Sequence, residues 1–255
     1  MPKIILFIFL MSNWTLAENN SPRSDVVESR ANSPGAESVD SAVSQCLGTS
    51  TVPEGKWVST DRDASQVCER GWLLDYKYSI ATGHVKYRVR RLNGRVQVSL
   101  SLYMEYAGDP RNRERTITIL KSILPCVMDL YKRNGIDLDL SAKIDTGISD
   151  LKNADARVKI WDSFDRSSSN DWSIIEQGGP NTNNSRCGMI GHEVGHLLGL
   201  PDRYVDPDCK GRPSSDIGPV GALMNSGGYT PVDFSILLPA DIRIIAAPLC
   251  TGSHL

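Results

Sequence analysis

Residues 187–201 read Cys-Gly-Met-Ile-Gly-His-Glu-Val-Gly-His-Leu-Leu-Gly-Leu-Pro, an apolar run interrupted only by His192, Glu193 and His196. A segment this apolar belongs inside a fold, and ionisable groups enclosed with it require partners. On an α-helix, residues four apart lie on one face, one turn from each other, so a helix brings the two imidazoles together. Asn184 or Ser185 can cap the first turn and Gly199 can end the helix. The rest of the chain must supply a layer against which such a helix is buried.

That layer is legible upstream. Between Trp72 and Tyr106 apolar and polar residues alternate, as in Val96-Gln97-Val98-Ser99-Leu100-Ser101-Leu102, with turn signals at Thr82-Gly83 and Asn93-Gly94. This pattern predicts antiparallel strands joined by hairpins. Over residues 112–134, Ile117, Ile119, Leu120, Ile123, Leu124, Val127, Met128, Leu130 and Tyr131 recur at helical spacing, with Pro125 expected to kink or split the helix and Asn134-Gly135 to end it. Residues 136–144 alternate as a strand, and 157–162 and 172–175 suggest two more. The expected class is α+β, a twisted mixed sheet with a long backing helix and an active-site helix.

The N-terminus carries one lysine, an apolar run from Ile4 to Met11 and then Thr15-Leu16-Ala17, the pattern of a secretory signal over residues 1–17. Residues 18–69, rich in Ser, Asn, Glu, Pro and Gly over most of their length, read as a flexible linker or pro-segment. The remaining 70–255 form the expected domain, with 70–94 a β-hairpin extension and the core starting near 95. The expected location is secreted, extracellular or periplasmic. Six cysteines, at 46, 68, 126, 187, 209 and 250, then favour disulfides, with Cys46–Cys68 and Cys187–Cys209 as plausible local bridges. No apolar run approaches the roughly 20 residues of a membrane-spanning helix. A formal net charge of -2 gives no field for a polyanion, so nucleic acid is not an expected partner.

His192-Glu193-Val194-Gly195-His196 is a His-Glu-x-x-His sequence, whose chemistry is one zinc ion on two histidines with the glutamate as general base. The competing reading is a core helix whose histidines bond backbone groups. Zinc requires a third ligand. Glu193 is the last glutamate in the chain, which excludes a glutamate from a later helix, and His254 is the penultimate residue. Asp202 is the leading candidate, because Gly199 can turn the chain back and deliver its carboxylate; otherwise it is a loop aspartate.

The run from His192 to Asp202 resembles the extended zinc motif of the metzincin metallopeptidases, in the snapalysin-like variant that ends in aspartate rather than histidine. Gly221-Ala222-Leu223-Met224-Asn225-Ser226-Gly227-Gly228 is similar to the turn in which that family places a methionine beneath the metal. The resemblance spans about residues 187–228. It implies a metzincin-like catalytic domain with a small C-terminal subdomain, His192, His196 and Asp202 as zinc ligands, Glu193 as catalytic base and Met224 as structural support. The activity it implies is zinc-dependent endopeptidase action on protein or peptide substrates, held extended against a sheet edge near residues 172–175. Calcium is a weaker expectation, since Asp206, Asp208 and Asp216 lack the spacing of a calcium loop. The rival function is a secreted, zinc-stabilised binding or adhesion module without hydrolysis.

Overall fold

Asn93 and Gly94 both adopt positive φ, 52° and 72°, and close a two-residue hairpin in which Leu92 pairs with Arg95. This is the turn that an Asn-Gly pair favours, because its twist matches that of the flanking strands. The computed structural model describes residues 44, 48, 50–63, 84–162, 170–174, 183–200, 221–224 and 235–250. The expected turn at Thr82-Gly83 lies outside them.

The hairpin joins β2 (His84–Leu92) to β3 (Arg95–Tyr106), the central strand of a six-stranded mixed sheet. β1 (Val58–Asp63) pairs antiparallel with β2. This strand lies within the stretch read as linker or pro-segment, and among its described side chains Thr60 alone is deeply buried. Its strand conformation follows from pairing with β2 rather than from an apolar pattern of its own.

One neighbour of β3 is β4 (Ile136–Ile144), parallel from Val96↔Ile136 to Met104↔Ile144. β5 (Ala156–Trp161) runs parallel to the last residues of β3, beginning at Leu102↔Ala156, beyond the stretch paired with β2. Between these two stretches Asp155 Oδ2 accepts hydrogen bonds from Ser101 N–H and Oγ–H, satisfying β3 there. β6 (Asp171–Ser173) extends the sheet parallel to β5.

Period-two burial gives the sheet one apolar face. Val85, Tyr87 and Val89 of β2, Val96, Val98, Leu100, Leu102 and Met104 of β3, and Ile136, Leu138 and Leu140 of β4 are all buried. Helix α1 (Arg113–Arg133) contributes Leu120, Ile123, Leu124, Val127, Leu130 and Tyr131 to the same core. Pro125 does not split this helix. It is exposed, as is Lys121 four residues earlier, so the carbonyl that loses its helical donor lies on the wet side. Gly135, at φ 87°, turns the chain out of α1 and into β4.

Short helix α2 (Ile148–Asn153) connects β4 to β5. Helix α3 (Asn183–Leu197) packs on α1, and α4 (Pro239–Ala246) contributes Ile242, Ile245 and Ala246 to the core. Tyr87 Oη–H of β2 donates to the carbonyl of Ile245 at 2.9 Å, tying α4 to the sheet. The fold is α+β with a mixed sheet, and among the described residues no helix is long and apolar enough to cross a membrane.

One cysteine pairing departs from expectation. Cys187 is bonded to Cys126 rather than to Cys209, so the bridge joins α3 to α1 instead of closing a local loop. Nearness in sequence is a poor guide here because helix packing sets a Cα–Cα distance of 5.9 Å between residues 61 apart.

Candidate metal centre

Helix α3 is enclosed, with every side chain at residues 187–200 buried. It approaches its neighbours so closely because it carries glycine where they touch. A Cβ on Gly191 would lie 2.5 Å from Leu130 Cδ2 of α1, and one on Gly195 would lie 2.6 Å from Met224 Sδ. Between these points Tyr131 Oη–H donates to the carbonyl of Gly191 at 3.0 Å. Burial first, and the charge of Asp241 second, push the Tyr131 phenol well above its ordinary pKa, so it remains a donor at any physiological pH.

The end of α3 is a two-bond glycine cap. Gly199, at φ 89°, directs its N–H to His196 O at 2.8 Å, and Leu200 N–H reaches back to Gly195 O at 2.9 Å. The turn leaves the carbonyl of Leu200 2.8 Å from His196 Nδ1. On the other side, Leu223 O lies 2.7 Å from His192 Nδ1. A carbonyl only accepts, so each Nδ1 must carry the hydrogen, which leaves each Nε2 as the nitrogen able to ligate a metal.

Those two Nε2 atoms are 3.0 Å apart, with the rings nearly perpendicular at 86°. With both hydrogens on Nδ1, two Nε2 lone pairs at that distance repel, and a proton or a cation between them relieves the conflict. Nitrogen ligands about 2.0–2.1 Å from a tetrahedral zinc are separated by about 3.3–3.4 Å. The observed pair is within a few tenths of an ångström of that span, so a small outward rotation of either ring accommodates zinc. The donor chemistry fits as well, since each ring has its second nitrogen bonded to a carbonyl, as metal-bound histidines ordinarily do.

Glu193 lies on the same helix and is buried, at 5% exposure. Met224 is fully buried, its sulfur against Gly195, the residue before His196 in the helix. Residues 221–224 are fixed from below, with Leu223 N–H donating to Ile236 O at 2.7 Å and Ile236 N–H to Gly221 O at 2.8 Å. The structure thus brings His192, His196 and Met224 together around one end of α3.

Asp202, the expected third ligand, lies outside the described residues, as do Asp206, Asp208 and Asp216. Among the described residues no group of three or more His, Cys, Asp and Glu side chains is arranged to hold a metal. The carbonyls of Leu200 and Leu223 and the contacts of Tyr131 were not anticipated from sequence. Gly191 and Gly195 were the available signal, since glycine twice in a buried helix marks close approach.

A scan of protein-family models and a search of curated proteins found no match to the chain.

Proposed function

We propose that this chain is a secreted zinc-dependent endopeptidase of metzincin-like design, with His192, His196 and Asp202 as the zinc ligands. The observation that carries the reading is the histidine pair, with Nδ1 atoms committed to carbonyls and Nε2 atoms 3.0 Å apart. A cation between the two Nε2 atoms relieves the repulsion of their lone pairs, and the Nδ1 bonds hold both rings in place to receive it. The two readings of the histidines are therefore compatible, since each ring bonds backbone through one nitrogen and keeps the other for metal.

Zinc, when bound, supplies a Lewis acid that makes a water acidic and polarises a peptide carbonyl. His192 and His196 would hold it through Nε2. Glu193 accepts the proton from the attacking water and passes it to the amine that leaves as the peptide bond breaks. Met224 supports the floor of the site by packing against Gly195. The substrate is protein or peptide, its backbone extended along β6, whose residues close the sheet. The Cys126–Cys187 bridge supports a secreted location, because such bonds persist in oxidising compartments.

The test is casein cleavage by protein secreted through an oxidising compartment, with and without a chelator, beside Glu193→Ala. A general base contributes about 10²–10⁴-fold, so the variant retains its zinc and loses cleavage by at least that range's lower limit. Cleavage undiminished in Glu193→Ala would remove the glutamate from its role. Zinc retained by a parent that cleaves nothing would turn the reading to a zinc-stabilised binding module.

A further inference from the structure

The geometry points to Asn134 as a positioning residue for the histidine pair, acting through a relay of backbone hydrogen bonds that ends on His192. The inference rests on the metal-centre reading and extends it to a residue at the C-terminal end of helix α1.

Asn134 is the C-cap of α1 and is buried. Its side chain uses both ends. The Oδ1 atom accepts from Leu237 N–H at 2.9 Å, while Nδ2–H₂ donates to Leu130 O at 2.8 Å and Ser235 O at 3.3 Å. One amide group therefore holds both ends of residues 235–237 against the last turn of α1. The residue between them, Ile236, pairs with residues 221–223 by the two backbone bonds described above. Leu223, the far end of that pairing, presents its carbonyl to His192 Nδ1 at 2.7 Å.

The bonds made by Asn134 and by His192 Nδ1 are buried, and the link between them is a backbone pairing through the partly exposed Ile236; each has a directional requirement, so a shift at Asn134 is carried to Leu223 O. The consequence for His192 is specific. The carbonyl fixes which ring nitrogen carries hydrogen and how the ring is turned, and groups that orient metal-bound histidines in this way are worth 10–100-fold in affinity. His196 takes its orientation from Leu200 O through the glycine cap, a path that does not pass through Asn134. The relay is thus asymmetric, and the asymmetry distinguishes positioning from general stabilisation.

The experiment compares the full secreted chain with Asn134→Ala, Asn134→Asp and a control, Val89→Ala, which truncates a buried side chain on β2 that takes no part in the relay. Three quantities are read: zinc affinity by competition with a chromophoric chelator, the visible spectrum of the cobalt-loaded protein, and the Nδ1–H proton resonances of both histidines in metal-free protein. Asn134→Ala is expected to weaken zinc binding by about tenfold, the lower end of the range for such orienting groups. It also alters the cobalt spectrum and speeds exchange of the His192 Nδ1–H proton while leaving that of His196 slow. Asn134→Asp keeps an acceptor for Leu237 N–H and is expected to show smaller changes of the same kind. Val89→Ala lowers thermal stability without any of them. Parent-like affinity, spectrum and His192 exchange in either Asn134 variant would overturn the assignment. If the parent binds no metal, the metallopeptidase reading falls, and the two Nδ1–H resonances alone decide the relay.

Discussion

Gly195→Ala is the substitution on which the packing account commits itself most narrowly. In an ordinary helix the change stabilises, by about 0.5–1 kcal/mol, because alanine loses less backbone entropy than glycine. Here the new Cβ would meet Met224 Sδ at 2.6 Å, Tyr131 Oη at 3.2 Å and Leu200 Cδ1 at 3.3 Å. All three neighbours belong to fully buried residues, so relief requires moving α3 away from residues 221–224. Overpacking of this kind costs about 1–3 kcal/mol. Subtracting the helix-propensity gain leaves a net loss of about 1 kcal/mol, or about 2–4 °C in Tm for a chain of this size. The same movement lengthens the His192–Leu223 bond, so zinc affinity falls too.

Urea or thermal unfolding measures the first effect, and a double-mutant cycle with Met224→Ala tests its cause. Truncating the methionine opens the space that the new methyl group occupies, so the two changes together cost less than their sum by about 0.5–3 kcal/mol, the range for residues in contact. Gly191→Ala makes one tight contact, with the end of the Leu130 side chain at 2.5 Å, its other neighbours lying at 3.7 Å and beyond, and is expected to be the milder variant. A Gly195→Ala protein more stable than the parent, or strict additivity with Met224→Ala, would refute the reasoning.

Other predictions are independent of that contact. Replacing Cys126 and Cys187 together by serine opens a bridge across a sequence separation of 61, for which chain entropy gives a loss of about 4 kcal/mol; unfolding unchanged by the replacement would contradict it. The Asp109 carboxyl accepts hydrogen bonds from the Arg111 side chain and backbone, and these hold its pKa at about 2 in the folded chain. Because the folded value is depressed, Asp109 contributes stability above its unfolded pKa of about 3.9, and this is lost as pH falls through the folded value. Carbon NMR of the carboxyl group follows that titration, and Arg111→Ala is expected to raise its midpoint. Asn93→Val places a β-branched residue at φ 52° and is expected to weaken the hairpin by about 1–3 kcal/mol, read as a lower urea midpoint.

Much of this arrangement was legible because local chemistry and the fold agree. Asn93-Gly94 names its own turn, the alternation over residues 96–102 and 136–144 places two central strands, and the spacing of His192 and His196 requires a helix to be of use. What could not be read has a common physical cause. Strand β1, Val-Ser-Thr-Asp-Arg-Asp, has no apolar period and takes its conformation from β2. The partner of Cys187 depends on the packing of α3 against α1, 61 residues away in sequence. The carbonyls of Leu200 and Leu223 orient the histidines as backbone groups, which every residue possesses, so no residue type marks them. Asn134 looked like a helix terminator from sequence, and it is one, while its side chain also anchors residues 235–237 by bonds spanning about a hundred residues.

The central claim is that His192 and His196 present their Nε2 atoms to one zinc ion. Its most direct test is zinc per chain, by elemental analysis of the purified secreted protein after exhaustive dialysis, beside a His192→Ala/His196→Ala double variant that is shown to be folded. The account predicts one zinc per parent chain and essentially none in the variant. A parent free of zinc even after reconstitution, or a variant that keeps its full equivalent, would contradict it.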